Sequence, residues 1–441
     1  MKTKIFSLVS IMFLFISCKK EQSIVITTEE YHAAVDNVTQ IMIHDIFSPP
    51  VASRIFVYPN IAAYEIMAQN SKTYTSLQNQ LNGLDSIPKL DVKKKINQPL
   101  AALIAHMELS KQLVFSEETL DKFRDSLYQK WTNENEEEFL VSKEYGLKVA
   151  ERIKIWMGKD NYKETRTMSK FSVYANQPGR WQPTPPSYMD AIEPHWGKIR
   201  TMVLDSASQF KPIPAFTFSL DKSSPFFKEV QEVYDISKQM IKKGDDSEEI
   251  KMAQFWDCNP YVSVTQGHMM FAKKKITPGA HWMGITKIAS KKSNADFAKT
   301  VFAYTKTSIG IFDGFISCWN EKFKSNAVRP ETVINQHIDE NWKPILQTPP
   351  FPEYTSGHSV VSMCSASILT SVFGDNFAYA DDTEVQFGLP IRKFKSFDAA
   401  AKEAAMSRFY GGIHYTSAIV NGMDHGKDIG DFIVGKLKMI K

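Results

Sequence analysis

Residues 294–325, NADFAKTVFAYTKTSIGIFDGFISCWNEKFKS, decide how the rest of the chain is read. Phe297, Val301, Tyr304, Ser308, Ile311, Phe315 and Cys318 follow one another at four- and three-residue steps, the period of a helix with one buried face. The next member of that series is Lys322. An ammonium on a core stripe costs several kcal/mol unless it meets an anion, so this lysine either snorkels out at the helix end or serves a buried negative ligand.

Outward from this stretch the same helical period recurs and period-two strand patterns are scarce. It predicts helices over about Glu29–His44, Arg54–Ala68 with a kink at Pro59, Pro99–Leu113, Glu117–Trp131 and Glu137–Trp156. Further helices are predicted from the Ser224-Pro225 cap to Lys243, from Ser356 to Phe373, and from Asp398 toward Arg408. Residues 176–214 carry Pro178, Pro183, Pro185, Pro186, Pro194, Pro212 and Pro214 without periodicity, the mark of a wrapping connection. The expectation is an all-α protein of two helical bundles, 19–214 and 215–441.

The 441 residues, 43% hydrophobic and 23% charged, have the composition of an ordinary globular protein. Lys2 and Lys4 precede an apolar run, Ile5–Ile16, too short to span a bilayer, and Phe15-Ile16-Ser17-Cys18 resembles a lipobox. The expectation for residues 1–18 is a lipoprotein signal peptide with Cys18 acylated, giving an exported, cell-envelope protein anchored by lipid. The formal charge of +4 falls by two when Lys2 and Lys4 leave, so no nucleic-acid partner is expected. Of the remaining cysteines, Cys318 and Cys364 sit in apolar helical contexts and read as small buried hydrophobes, and no cysteine pair, Cys258 included, has metal-site spacing.

Three short segments concentrate polar chemistry. Arg329 stands seven residues after Lys322, just before Pro330, where the helix must have ended. In Glu353-Tyr354-Thr355-Ser356-Gly357-His358-Ser359, Ser356 is a good N-cap and Gly357 permits close backbone approach. An anion there would meet helix amides and the helix dipole, with the His358 imidazole beside it as acid or base. In Ser407-Arg408-Phe409-Tyr410-Gly411-Gly412-Ile413-His414, the glycine pair breaks the helix and lets Arg408 and His414 converge. Taken singly, each segment also reads as a solvated helix end or an ordinary cap.

Together, and in this order, Lys-x6-Arg-Pro, Ser-Gly-His and Ser-Arg-x5-His resemble the signature shared by type 2 phosphatidic acid phosphatases and vanadium-dependent haloperoxidases. Phe47–Arg54, Phe255-Trp256-Asp257, Thr277–Trp282 and Trp319 are similar to bacterial haloperoxidases in particular, iodide-specific ones included. The resemblance implies the paired helical bundles of that superfamily. It also implies vanadate as cofactor, with His414 as nitrogen ligand to vanadium. Lys322, Arg329, Ser356, Gly357 and Arg408 would surround the oxo groups. Hydrogen peroxide would bind there, His358 handling its proton and Lys322 polarising it, and halide would be oxidised to hypohalous acid, the organic acceptor being open. Iodide, the easiest halide to oxidise, is the first expectation, with bromide next.

Two positions depart from the pattern. Thr355 stands where the superfamily usually has proline, and Ala418 stands where its phosphatases place the aspartate that orients the last histidine. Asp257 is the expected substitute, with Asp424 as the other candidate. Trp319, Phe351 and Tyr261 are the candidate pocket walls, with core packing as the competing role for each. Two other functions stay open: a phosphomonoesterase working through a phosphohistidine on His414, and a non-catalytic surface lipoprotein binding glycans. The latter class often shows a repeat of about 34 residues, which the chain lacks. A zinc hydrolase is weaker, since Asp424-His425 sits between glycines in what reads as a solvated loop.

Overall fold

A computed structural model describes residues 22–441 apart from 175, 245, 246, 267, 268 and 273. The expected signal segment and Cys18 lie outside the described residues. Helices dominate: α1 (Thr28–Asp45), α2 (Pro49–Ala68), α3 (Gln98–Lys111), α4 (Glu117–Met157), α5 (Tyr162–Thr165), α6 (Pro225–Lys243) and α7 (Glu248–Phe255) lead to α8 (Pro278–Lys292), α9 (Phe297–Ser325), α10 (Pro330–His337), α11 (Gly357–Phe373), α12 (Phe397–Tyr410) and α13 (Thr416–Lys436). Two antiparallel hairpins pair β1 (Ser263–Gln266) with β2 (Met269–Ala272) and β3 (Tyr379–Asp381) with β4 (Arg392–Phe394).

Helix α9 is the axis. It is buried on nearly all sides from Phe297 to Lys322, and it packs on α2, α8 and α11. The main apolar cluster holds residues from Ile24 to Met439, on both sides of Pro214, and two smaller clusters form around Val230 and Ile334 and around Leu346 and Ile413. The Pro-rich connection is fastened to this axis by Asp313, with Ser317 Oγ and Trp319 Nε1 donating to the Ala207 and Ile192 carbonyls. Buried Asp313 accepts the amides of Met202, Val203 and Leu204 at 2.6, 2.8 and 3.1 Å. Burial pushes its pKa up to about 6 in spite of these bonds.

Local chemistry sets the helix ends. Thr27 and Glu30 form a reciprocal capping box on α1, and Ser224 and Asp296 cap α6 and α9. Ser48 caps α2 ahead of Pro49-Pro50, so this helix starts before the predicted Arg54, with Pro59 inside it. The two helices predicted either side of residues 132–136 meet in α4 at Asn135, whose backbone is extended at φ −161° and whose side chain accepts the Glu138 amide.

Helix α13 corrects the reading of Asp424-His425 as a loop: Asp424 is exposed, while His425 is buried and lies 2.8 Å from Ser317 Oγ. The glycines that suggested a loop lie four apart on the face turned to α11. A Cβ on Gly422, Gly426 or Gly430 would come within 2.9 Å of Ser359, 2.2 Å of the Val360 carbonyl or 2.8 Å of Ser367. They are there for close backbone approach, and α11 with α13 is the most extensive helix contact in the fold.

Gly426→Ala should therefore destabilise the protein by about 3 kcal/mol, because a backbone carbonyl cannot step aside. Gly435→Ala, where nothing lies within 4 Å, should be neutral or slightly stabilising. Denaturant unfolding of the two variants checks this; equal stabilities would mean that α11 and α13 are not so closely packed.

Candidate active site

The ends of α9, α11 and α12 and the turn before α13 meet at one place. Lys322 arrives on the last turn of α9, and Asn326, in the left-handed region at φ 48°, turns the chain so that Arg329 follows ahead of α10. Ser356 caps α11 by accepting the Ser359 amide, Gly357 and His358 form its first turn, and Arg408 lies on the last turn of α12. Gly412, at φ 75°, reverses the chain and brings His414 back toward Arg408.

All four long polar side chains are removed from solvent: Lys322 and Arg329 are 0% exposed, Arg408 1% and His414 3%. Lys322 thus does not snorkel. Its Nζ donates to the carbonyls of Pro352 and Glu353, each at 3.0 Å, and burial lowers its pKa to about 7. Arg329 donates from Nε to the Phe351 carbonyl at 3.0 Å and from Nη1 to the Ile413 carbonyl at 2.8 Å and to His414 Nε2 at 3.1 Å. Burial brings its pKa down to about 10. Arg408 donates from Nη1 to the Trp256 carbonyl at 3.0 Å.

The partners of His414 define its tautomer. A guanidinium has no acceptor, so Nε2, 3.1 Å from Arg329 Nη1, carries the lone pair. Nδ1 then carries the proton and donates it to Glu353 Oε1 at 2.8 Å. Burial and the neighbouring cations Arg329, Lys322 and Arg408 hold the imidazole pKa well below its ordinary value, so the ring is neutral. The same Glu353 oxygen accepts the Tyr415 amide at 3.1 Å, fixing the carboxylate to the histidine's own turn. Burial raises the pKa of Glu353 to about 7, against the pull of Arg329 and Lys322.

This pairing corrects the expectation for the orienting acid. Asp257 is engaged by Lys275 and has Arg408 Nη2 at 4.0 Å, so it supports the arginine. Asp424 points to solvent on α13. The sequence did hold a signal, a carboxylate enclosed in the apolar stretch Pro349-Pro350-Phe351-Pro352-Glu353-Tyr354 directly ahead of Ser356.

A narrow cavity of ≈ 30 Å³ opens on these groups, lined by Gly357, His358, Arg408 and His414 and walled by Trp319, Phe351 and Phe315. Since one water needs about 10–15 Å³, it admits only small molecules. Trp319 and Phe351 contact each other with ring centroids 4.8 Å apart. Tyr261, the third expected wall residue, does not line it; its hydroxyl is bonded to Ser48. His358 is half-buried, with the Trp256 carbonyl against its ring, and burial and the Arg408 charge hold its pKa well below the ordinary value.

Several polar groups here lack a protein partner. Arg329 Nη2, Arg408 Nε and His358 Nε2 are buried and unbonded. An orphaned buried donor costs about 1–3 kcal/mol, more when charged. Three cations outnumber the two carboxylates, Glu353 and Asp257, and a Cβ at Gly357 would fill the space between Trp319 and Lys322. A small oxyanion answers all of these features, and the Nε2 lone pair, which here accepts from Arg329 Nη1, is the ligand the ring can offer an electrophilic central atom when that bond gives way. The residues thus fit vanadate or phosphate, with Lys322, Arg329, Ser356, Gly357, Arg408 and His414 as the holding set.

Comparison with known proteins agrees with this fit. A family model described as the second helical-bundle domain of VCPO matches residues 302–440. No curated protein matches the chain by sequence. Among solved structures, holo and apo forms of a bacterial vanadium-dependent chloroperoxidase share the fold, each with TM-score 0.64 and 16% identity, over 89% and 88% of this chain and 93% and 94% of theirs. A structure described as the first bacterial vanadium-dependent iodoperoxidase superposes with TM-score 0.93 at 62% identity, over 96% of this chain and 99% of that one. At that identity and coverage, the chain that builds this oxyanion cradle belongs to the bacterial vanadium-dependent haloperoxidases.

Proposed function

We propose that this protein is a vanadate-dependent haloperoxidase that oxidises iodide with hydrogen peroxide to hypoiodous acid. The observation that carries the proposal is the neutral His414, its Nε2 lone pair turned to Arg329, at a small cavity that His358 and Arg408 also line. Orthovanadate, when bound, supplies a Lewis acid that activates hydrogen peroxide toward halide without changing oxidation state. Every other part is played by the chain. His414 offers Nε2, and Glu353 fixes the ring and its tautomer. Arg329, Arg408, the Ser356 hydroxyl and the Gly357 amide neutralise oxyanion charge in a site of low dielectric constant.

His358 Nε2, unbonded at the cavity wall, is placed to take a proton from peroxide and return it to the departing oxygen. Burial lowers the Lys322 pKa to about 7, an anion beside it favours the charged form, and with two N–H groups on the Pro352 and Glu353 carbonyls one remains to donate. Trp319 and Phe351 exclude water from the cavity wall, and their faces take the cations, with Lys322 Nζ 5.8 and 5.2 Å from the two ring centroids. The same His414 could in principle open a phosphate ester. The cavity of ≈ 30 Å³ leaves little room for the organic half of such a substrate and favours peroxide and halide. The iodide preference is supported by the iodoperoxidase relative.

The proposal includes export and lipid anchoring through residues 1–18, supported by the charged start, the short apolar run and Ser17-Cys18. In a bacterial host, labelled palmitate should enter the wild-type chain and not Cys18→Ala. Equal labelling of both would remove the anchor from the account.

For the chemistry, purified protein is stripped of bound anions and assayed for peroxide-dependent iodide oxidation with and without orthovanadate, alongside aryl phosphate hydrolysis. Activity should appear only with vanadate and fall by at least about 100-fold in His414→Ala. Strong phosphate hydrolysis that vanadate abolishes, with no oxidation appearing, would make the protein a phosphatase instead.

A further inference from the structure

Beside the oxyanion cavity lies a second cluster that the proposed reaction does not use. Cys258, which lines the cavity, follows α7; His281 lies on the first turn of α8; Glu384 lies just past β3. All three are buried, and their ligand-type atoms face one another. Cys258 Sγ is 3.3 Å from His281 Nδ1, His281 Nδ1 is 3.4 Å from Glu384 Oε1, and Cys258 Sγ is 3.9 Å from Glu384 Oε1.

We propose that Cys258, His281 and Glu384 bind a zinc ion in the wall of the active-site cavity. The triangle of these atoms has a circumradius of about 2.1 Å, so a point just off its plane lies within the usual zinc bond lengths of about 2.3 Å to sulfur and about 2.0–2.2 Å to nitrogen and oxygen. The edges of the triangle also match those of a tetrahedron with such bonds. One thiolate, one imidazole and one carboxylate suit zinc above magnesium or calcium, which prefer all-oxygen shells.

The outer groups are those a metal-bound histidine needs. His281 Nε2 lies 3.0 Å from Asp381 Oδ2 and 2.8 Å from Thr383 Oγ1, which itself donates to Asp381 Oδ1 at 2.7 Å. A proton held on Nε2 by Asp381 leaves the Nδ1 lone pair turned to Cys258 and Glu384, the carboxylate–histidine–metal arrangement. The Trp256 ring stacks on His281 at 4.3 Å.

The ion would join three separate stretches of chain, the segment after α7, the start of α8 and the β3–β4 connection. It would hold Trp256, whose carbonyl receives Arg408 Nη1, and so position that arginine.

The test counts metal on purified protein without vanadate, so its outcome is independent of the haloperoxidase reading. After expression with zinc and desalting into metal-free buffer, elemental analysis should find about one zinc per chain. Cys258→Ala and Glu384→Gln should lose it, while Cys364→Ala, which removes another buried thiol, should keep it. Cobalt(II) loaded into the wild type should give tetrahedral d–d bands and a thiolate charge-transfer band, a reading that needs no variant to fold. Wild-type protein without zinc, and with only the spectrum of hexaaqua cobalt, would overturn the proposal and leave His281 as an imidazolium between two carboxylates.

Discussion

The site depends on one hydrogen bond, from His414 Nδ1 to Glu353 Oε1 at 2.8 Å. Arg329 Nη1, 3.1 Å from Nε2, can only donate and so keeps the lone pair on that nitrogen, while the carboxylate accepts the proton left on Nδ1, which would otherwise be a buried donor without a partner. Glu353 also offsets part of the charge of Arg329 and Lys322, which burial already makes costly. Removing one partner of such a buried pair typically costs about 3–5 kcal/mol. The cradle can therefore stay assembled, electrically close to balance and still receptive to an anion.

The packing of the bundle brings these groups together. Lys322 is buried because α9 is the axis of the core, and the α11 N-terminus is held against α13 by glycines that let two backbones touch. Ser356 N donates to the Ala418 carbonyl at 3.1 Å, so the helix whose first turn faces the cavity is tied to α13, two residues into it. Ala418 occupies the place where phosphatases of the superfamily carry an aspartate. Here the carboxylate comes instead from the loop ahead of α11, and the same histidine is oriented from the other side of the chain.

Most of the helical layout was legible because amphipathic periodicity and caps are local signals, and the stripe ending in Lys322 pointed to a buried cation. The candidate oxyanion residues lie in three motifs whose order survives in the sequence; Gly357, His358, Arg408 and His414 line one cavity, and Arg329 adjoins it through His414. What failed to show was tertiary. Glu353 sits 61 positions from His414, and its apolar surroundings hint at a buried carboxylate without saying which side chain it meets, while Asp257 is engaged by Lys275 and Arg408 instead. Gly422 and Gly426, the glycines flanking Asp424-His425, read as loop formers because their value lies in what approaches them. Cys258, His281 and Glu384 are spread over more than 120 positions and have no spacing to read.

The central claim, that His414 is a neutral imidazole with its lone pair on Nε2, is open to direct measurement by nitrogen-15 NMR of histidine-labelled protein before vanadate is added. The signals are assigned by difference from His414→Ala. The account predicts a protonated Nδ1 and an unprotonated Nε2 at neutral pH, with the Nε2 resonance moving when vanadate binds. An imidazolium, or a ring protonated at Nε2 and unmoved by vanadate, would contradict it.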